Sequence, residues 1–90
     1  MDSVKEIERE TLEMRDTGWK LRQIREAQNK AVSEVAEYLG LSGQSVYNWE
    51  IGKTKLDVEH LVMLCKFYKK PYDEVIQTKT EKAFIKYYDE

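Results

Sequence analysis

Proline occurs once, at Pro71, and glycine only four times in these 90 residues. That scarcity excludes collagen-like and Pro/Gly-rich disordered chains and leaves helices room to run unbroken. Cysteine also occurs once, at Cys65, so no disulfide can form within the chain, which fits a reducing compartment. The single histidine is His60. One histidine and one cysteine cannot supply a structural zinc site. Their places on one helix hold them well apart around it, so they form no nucleophile–base pair. No glycine-rich phosphate loop is present, and no carboxylate spacing singles out a pair. The expectation is therefore no enzymatic activity, no catalytic residue, no metal and no cofactor. No apolar run approaches the roughly 20 residues that span a bilayer. The opening MDSVKEIERE lacks the basic-then-apolar order of a signal peptide. A cytoplasmic chain with no membrane partner is expected.

What is present is one small domain's worth of chain with 41% hydrophobic and 36% charged residues. The net charge of −2 lacks the basic excess usual in nucleic-acid binders. Its distribution is uneven. Both ends are acidic, and the positive charge lies mid-chain, with Lys20, Arg22, Arg25 and Lys30 against Glu26, then Lys53 and Lys55 against Glu50.

Nothing in the chain reads as a strand, and several segments carry the helical period. Ser3 and Glu6 stand at capping-box spacing ahead of Val4, Ile7, Thr11 and Met14, which predicts a helix from residue 3 to about 17. Gly18 is read as a stop or hinge. A second helix is expected over about 19–28. Val32, Val35, Ala36 and Leu39 mark a third, ended by Gly40. Ser42 caps a fourth over about 43–51, with Val46 and Trp49 on its inner face. Further helices are expected over about 57–68 and 72–76. Thr78 and Glu81 repeat the capping-box spacing before Ala83, Phe84, Tyr87 and Tyr88. The fold class is all-α: a five-helix domain over 18–77, with helical extensions at 1–17 and 78–90. Met63 and Phe67 form a second apolar face on the 57–68 helix. At least one terminal helix is expected to cover it, within the chain or across a homodimer.

The unit from Val32 to Ile51 has the form of a helix-turn-helix: two short helices joined by a tight turn, the second free to enter a major groove. Ala36 allows close packing, and Leu41 is expected to plug the corner. With Val46 and Trp49 inward, Gln44, Tyr47, Asn48 and Ile51 point outward. Gln and Asn amides can pair with an adenine edge. The pattern alone equally allows Gln44 and Asn48 to be ordinary solvated residues.

The stretch Ile24 to Ile76 resembles the Cro/CI-type (XRE) helix-turn-helix family of phage repressors and small bacterial regulators. The most specific pieces are Val35-Ala36-Glu37-Tyr38-Leu39-Gly40-Leu41-Ser42, then Val46-Tyr47-Asn48-Trp49-Glu50, then Gly52-Lys53. The resemblance implies a compact lambda-repressor-like domain. Gly43, Gln44, Ser45, Tyr47 and Asn48 would lie on the recognition helix against double-stranded DNA. Lys53, Thr54 and Lys55 would meet backbone phosphates. Arg25 and Glu50 would form a structural ion pair. The sequence departs from the family at Val32, often Gln, at Gly43, which offers no side chain to a base, and at Leu56, usually Pro. The first two remove polar contacts, which points to affinity gained by dimerisation.

The expected function is thus a sequence-specific transcriptional regulator, a repressor of Cro/CI type from a phage, mobile element or bacterium, acting as a homodimer. Two rivals use the same fold. One is an antitoxin-like autorepressor that binds a toxin through the terminal helices. The other is a helical adaptor that does not bind DNA.

Overall fold

The computed structural model describes residues 2–88. Met1, Asp89 and Glu90, counted above in the extensions, lie outside the described residues. The order of elements is β1 (Asp2–Leu12), α1 (Met14–Ala27), α2 (Val32–Leu39), α3 (Gly43–Glu50), α4 (Val58–Tyr68), α5 (Tyr72–Val75) and β2 (Thr78–Tyr88). The five helices give the expected all-α fold, and α1 begins at Met14, ahead of Gly18. The two extensions do not form helices.

Local chemistry accounts for the helix ends. Ser42 Oγ accepts from the Ser45 N–H at 3.2 Å, capping α3. Asp57 does the same for α4, accepting from the His60 N–H at 2.9 Å. At α2, where Ala31 has no acceptor, Glu34 reaches back to the Ala31 N–H at 3.1 Å. Gly40 closes α2 in the left-handed conformation, φ 69°. Lys69 closes α4, also left-handed.

The helices enclose one core that includes Leu21, Val35, Val46, Trp49, Leu64 and Val75. Cys65 is buried within it, and burial pushes its thiol pKa up. Tyr68 is also buried, which pushes its phenol pKa up. Among the described residues no buried side-chain polar atom lacks a partner.

Gly18 is neither a stop nor a hinge. It lies inside α1, which runs unbroken across it. A Cβ there would sit 2.1 Å from the Trp49 carbonyl oxygen. The glycine lets α1 cross the C-terminal end of α3 at backbone contact, a tertiary need that sequence alone presents as a helix breaker.

The extensions pair with each other as an antiparallel two-stranded ribbon. The register runs without a bulge from Asp2↔Tyr88 to Leu12↔Thr78 and sets Glu8 opposite Lys82 and Arg9 opposite Glu81. The ladder starts at the helical domain. The Glu13 N–H donates to the Gln77 carbonyl at 2.7 Å where α1 begins and α5 has ended. Thr17, fully buried, clamps this root. Its hydroxyl donates to the Glu13 carbonyl and accepts from the Gln77 N–H, each at 2.9 Å. A partner strand from the far end of the chain overrides the local helical spacing, because strand formation depends on cross-strand neighbours.

The second face of α4 is covered by α2, not by a terminal helix. Phe67 packs on Tyr38 with ring centroids 4.7 Å apart, and Lys30 Nζ lies 5.0 Å from its ring centre. The expected stripe side chains at Val4, Ile7, Phe84, Tyr87 and Tyr88 lie outside the described side chains. Any partner that the terminal segments hold meets strands rather than helices.

Candidate nucleic-acid interface

Helix α3 is only eight residues long and gains its stability by packing. Val46 and Trp49 are buried beneath it, and the Trp49 ring meets His60 at 5.0 Å between centroids. The opposite face is open: Gln44, Tyr47 and Ile51 are exposed, with Ser45 and Asn48 half-buried. The Gln44 Nε2 donates to Asn48 Oδ1 at 2.8 Å, so the two amides are held as one unit. This leaves Gln44 its carbonyl oxygen and second N–H, an acceptor–donor pair of the kind that matches an adenine edge.

Gly43 is half-buried at the start of α3, where a Cβ would meet Val32 Cγ1 at 3.5 Å. Space therefore does not demand glycine. Leu41 does not plug the corner; its side chain is exposed. Half-buried Val32 packs on the core instead, which gives an apolar role to the position where a phosphate-contacting Gln was absent.

Beyond α3 the chain turns at Gly52, φ 77°, and folds back over the helix end. The Lys53 and Thr54 N–H groups both donate to the Asn48 carbonyl, at 2.9 and 3.3 Å. The loop is thus pinned to α3, and Lys53, Thr54 and Lys55 are exposed. Neither Lys53 nor Lys55 forms an ion pair among the described residues.

The only acid between Tyr38 and Leu56 is Glu50, and it is 4% exposed. Arg25 grips it with two bonds, Nε to Oε2 at 2.8 Å and Nη2 to Oε1 at 3.1 Å. The remaining guanidinium nitrogen, Nη1, donates to the Lys30 carbonyl at 2.9 Å. Hydrogen bonding to Glu50 raises the Arg25 pKa further. A bidentate pair with its spare donor satisfied is the arrangement that makes a buried carboxylate tolerable. It also removes the one negative charge from the surface of this segment. The net acidity of the whole chain therefore does not describe this segment, where the exposed charges are Lys53 and Lys55.

Arg15 adds a cation that sequence reading missed. It comes from the first turn of α1, and its side chain lies over Gly52, where a Cβ would come within 2.7 Å of Arg15 Cγ. Arg15, Thr54, Lys55 and Lys79 line a cleft of about 530 Å³ together with Glu13 and Asp16. No sequence signal links Arg15 to the loop, because only the crossing of α1 over α3 brings them together.

The model of the helix-turn-helix family HTH_3, the XRE family, matches residues 21–75. The chain belongs to this helix-turn-helix family. It is a DNA-binding transcriptional regulator of the XRE family. The matched stretch contains α2, the turn, α3, the lysine loop and α4, and it leaves out the ribbon. No curated protein and no solved structure is significantly similar to the chain. Among the described residues no helix is long and apolar enough to cross a membrane, and no cluster of ligating side chains could hold a metal ion.

Proposed function

We propose that this XRE-family protein is a Cro/CI-type repressor that reads a specific operator in the cytoplasm as a homodimer, without catalysis. Residues 18–77 carry DNA binding, with the helical unit itself beginning at Met14. The observation that carries the reading is the open face of α3, continuous with a pinned loop whose lysines are free of ion pairs. α3 lies in the major groove. Gln44 reads a base with its free acceptor and donor, and Asn48 holds it in place and adds its own amino group. Tyr47 packs on a base or sugar. The Gly43 backbone N–H at the helix N-terminus, the Ser45 hydroxyl, and Lys53, Thr54 and Lys55 hold phosphates. Two copies on a near-palindromic site double this limited contact set.

The test begins with selection of a site from random duplexes. On that site Gln44→Ala and Asn48→Ala each cost about 1–3 kcal/mol, with little change on random DNA. Lys53→Ala weakens all sequences alike and lowers the salt slope by about one. Equal losses on specific and random DNA from the α3 variants would remove them as readers. No binding at any salt would favour the adaptor.

A further inference from the structure

We infer that the protein dimerises through β2, whose outer edge pairs antiparallel with the same edge of a second copy to make a four-stranded sheet ordered β1–β2–β2–β1. The inference supplies an interface for the proposed operator-bound dimer. It depends on that reading for its purpose but not for its geometry.

The ribbon as it stands is incomplete. Eleven residue pairs at about 3.4 Å each give a length of roughly 37 Å. This accounts for much of a molecule measuring 57 × 22 × 19 Å. Beyond its root the ribbon packs mainly on itself. Two strands alone are marginal in water, and a third strand or a covering helix is needed for independent stability. Among the described residues each strand has only the other as neighbour, so both outer edges are open. Edges are commonly blunted by charged side chains, above all lysine, by proline or by bulges, and of the two edges β1 carries six charged residues and β2 four. Neither strand contains proline or glycine, and the register has no bulge. DNA is a poor occupant. β1 carries four acids and two bases, β2 one acid and three bases, so the ribbon is neutral overall.

The choice between the two edges follows from a two-fold axis. Self-pairing over the full length of β1 centres on Ile7. It would set Lys5 opposite Arg9 and Glu6 opposite Glu8, each twice. Like charges directly opposed are destabilising. Self-pairing over the full length of β2 centres on Ala83. There Lys82 stands opposite Phe84, Glu81 opposite Ile85, Thr80 opposite Lys86 and Lys79 opposite Tyr87, and no like charges meet. Aromatic and β-branched residues, which favour strands, are also concentrated on this edge.

The experiment uses the full chain in two ways. Ala83→Cys places two cysteines across the two-fold. Opposed Cα atoms lie about 4.5–5.5 Å apart there, within disulfide range. Mild oxidation should therefore give a covalent dimer, while Ile7→Cys, its partner in the same ribbon pair, should remain monomeric on a denaturing gel. Buried Cys65 serves in the unaltered chain as the background control. In sedimentation, Ala83→Glu should weaken the dimer about five-fold or more, and Ile7→Glu should leave it unchanged. Both glutamates enter the same ribbon pair, so damage to the ribbon itself would affect the two variants alike. A monomeric wild type, a dimer that Ala83→Cys does not cross-link, cross-linking by Ile7→Cys instead, or equal sensitivity to the two glutamates would each overturn the inference. Cross-linking without DNA binding would refute the regulator reading and leave the interface standing.

Discussion

The helical domain and the ribbon are stabilised by opposite means. In the domain, apolar side chains from five helices meet in one core, and caps satisfy the helix ends. In the ribbon, order rests on a ladder between the two ends of the chain and on a root that a single threonine clamps. Interactions close in sequence specify most of the domain's pieces. The ribbon's pairing spans the whole chain and becomes available only once the domain has brought Glu13 and Gln77 together. The ribbon is therefore expected to form late and open first, as the low-stability part of the molecule.

The largest perturbations fall on the domain. Trp49→Ala empties the space between α3 and its neighbours and should cost about 3–5 kcal/mol in denaturant unfolding. That is a large share of the 5–15 kcal/mol typical of a domain. Arg25→Met leaves Glu50 buried with no partner, with an expected loss of about 3 kcal/mol or slightly more. The Arg25→Met/Glu50→Gln double variant should recover part of it. If Arg25→Met melts like wild type, the pair is not integral to the fold.

Gly18→Ala tests the α1–α3 crossing through its sign. Helix propensity alone predicts a gain of about 1 kcal/mol. The clash with the Trp49 carbonyl predicts a net loss of about 1–3 kcal/mol, because the helices must separate. A raised melting temperature would show that the backbones are not in contact.

Thr17→Val separates the two regions. It leaves the Gln77 N–H without its acceptor, an expected cost of about 1–2 kcal/mol. Amide exchange should speed up along both strands while protection in α4 is little changed. Uniform acceleration would mean that ribbon and domain unfold as one unit.

The smallest effect depends on pH. The His60 N–H and ring hold the Asp57 carboxyl below the usual carboxylate range. A lowered folded pKa contributes stability above the unfolded value, about 4, and loses it as pH falls through the folded value. Asp57→Ala should therefore cost about 1 kcal/mol at neutral pH, as loss of a cap does. The gap to wild type should close in strong acid. A gap independent of pH would assign the loss to packing.

Sequence by itself determined the helical half. α2 and α3 stand close to where Val32–Leu39, Gly40 and Ser42 placed them, because an apolar period, a left-handed glycine and a capping hydroxyl act within a few residues. Val46 and Trp49 lie inward for the same reason. It also determined the family, through the pattern from Val35 to Lys53. Only the tertiary structure decided the rest. It made Gly18 a contact rather than a break, since the Trp49 carbonyl that requires it is far along the chain. It brought Arg15 over Gly52, and it covered Phe67 with Tyr38 and Lys30 rather than with a terminal helix. It also turned both ends into strands. Their Glu and Lys residues and capping-box spacing fit a helix locally, although Thr, Ile, Phe and Tyr favour strands, and a strand has no local hydrogen bonds to declare it. Its partner, and so its identity, comes from wherever the fold delivers a second edge.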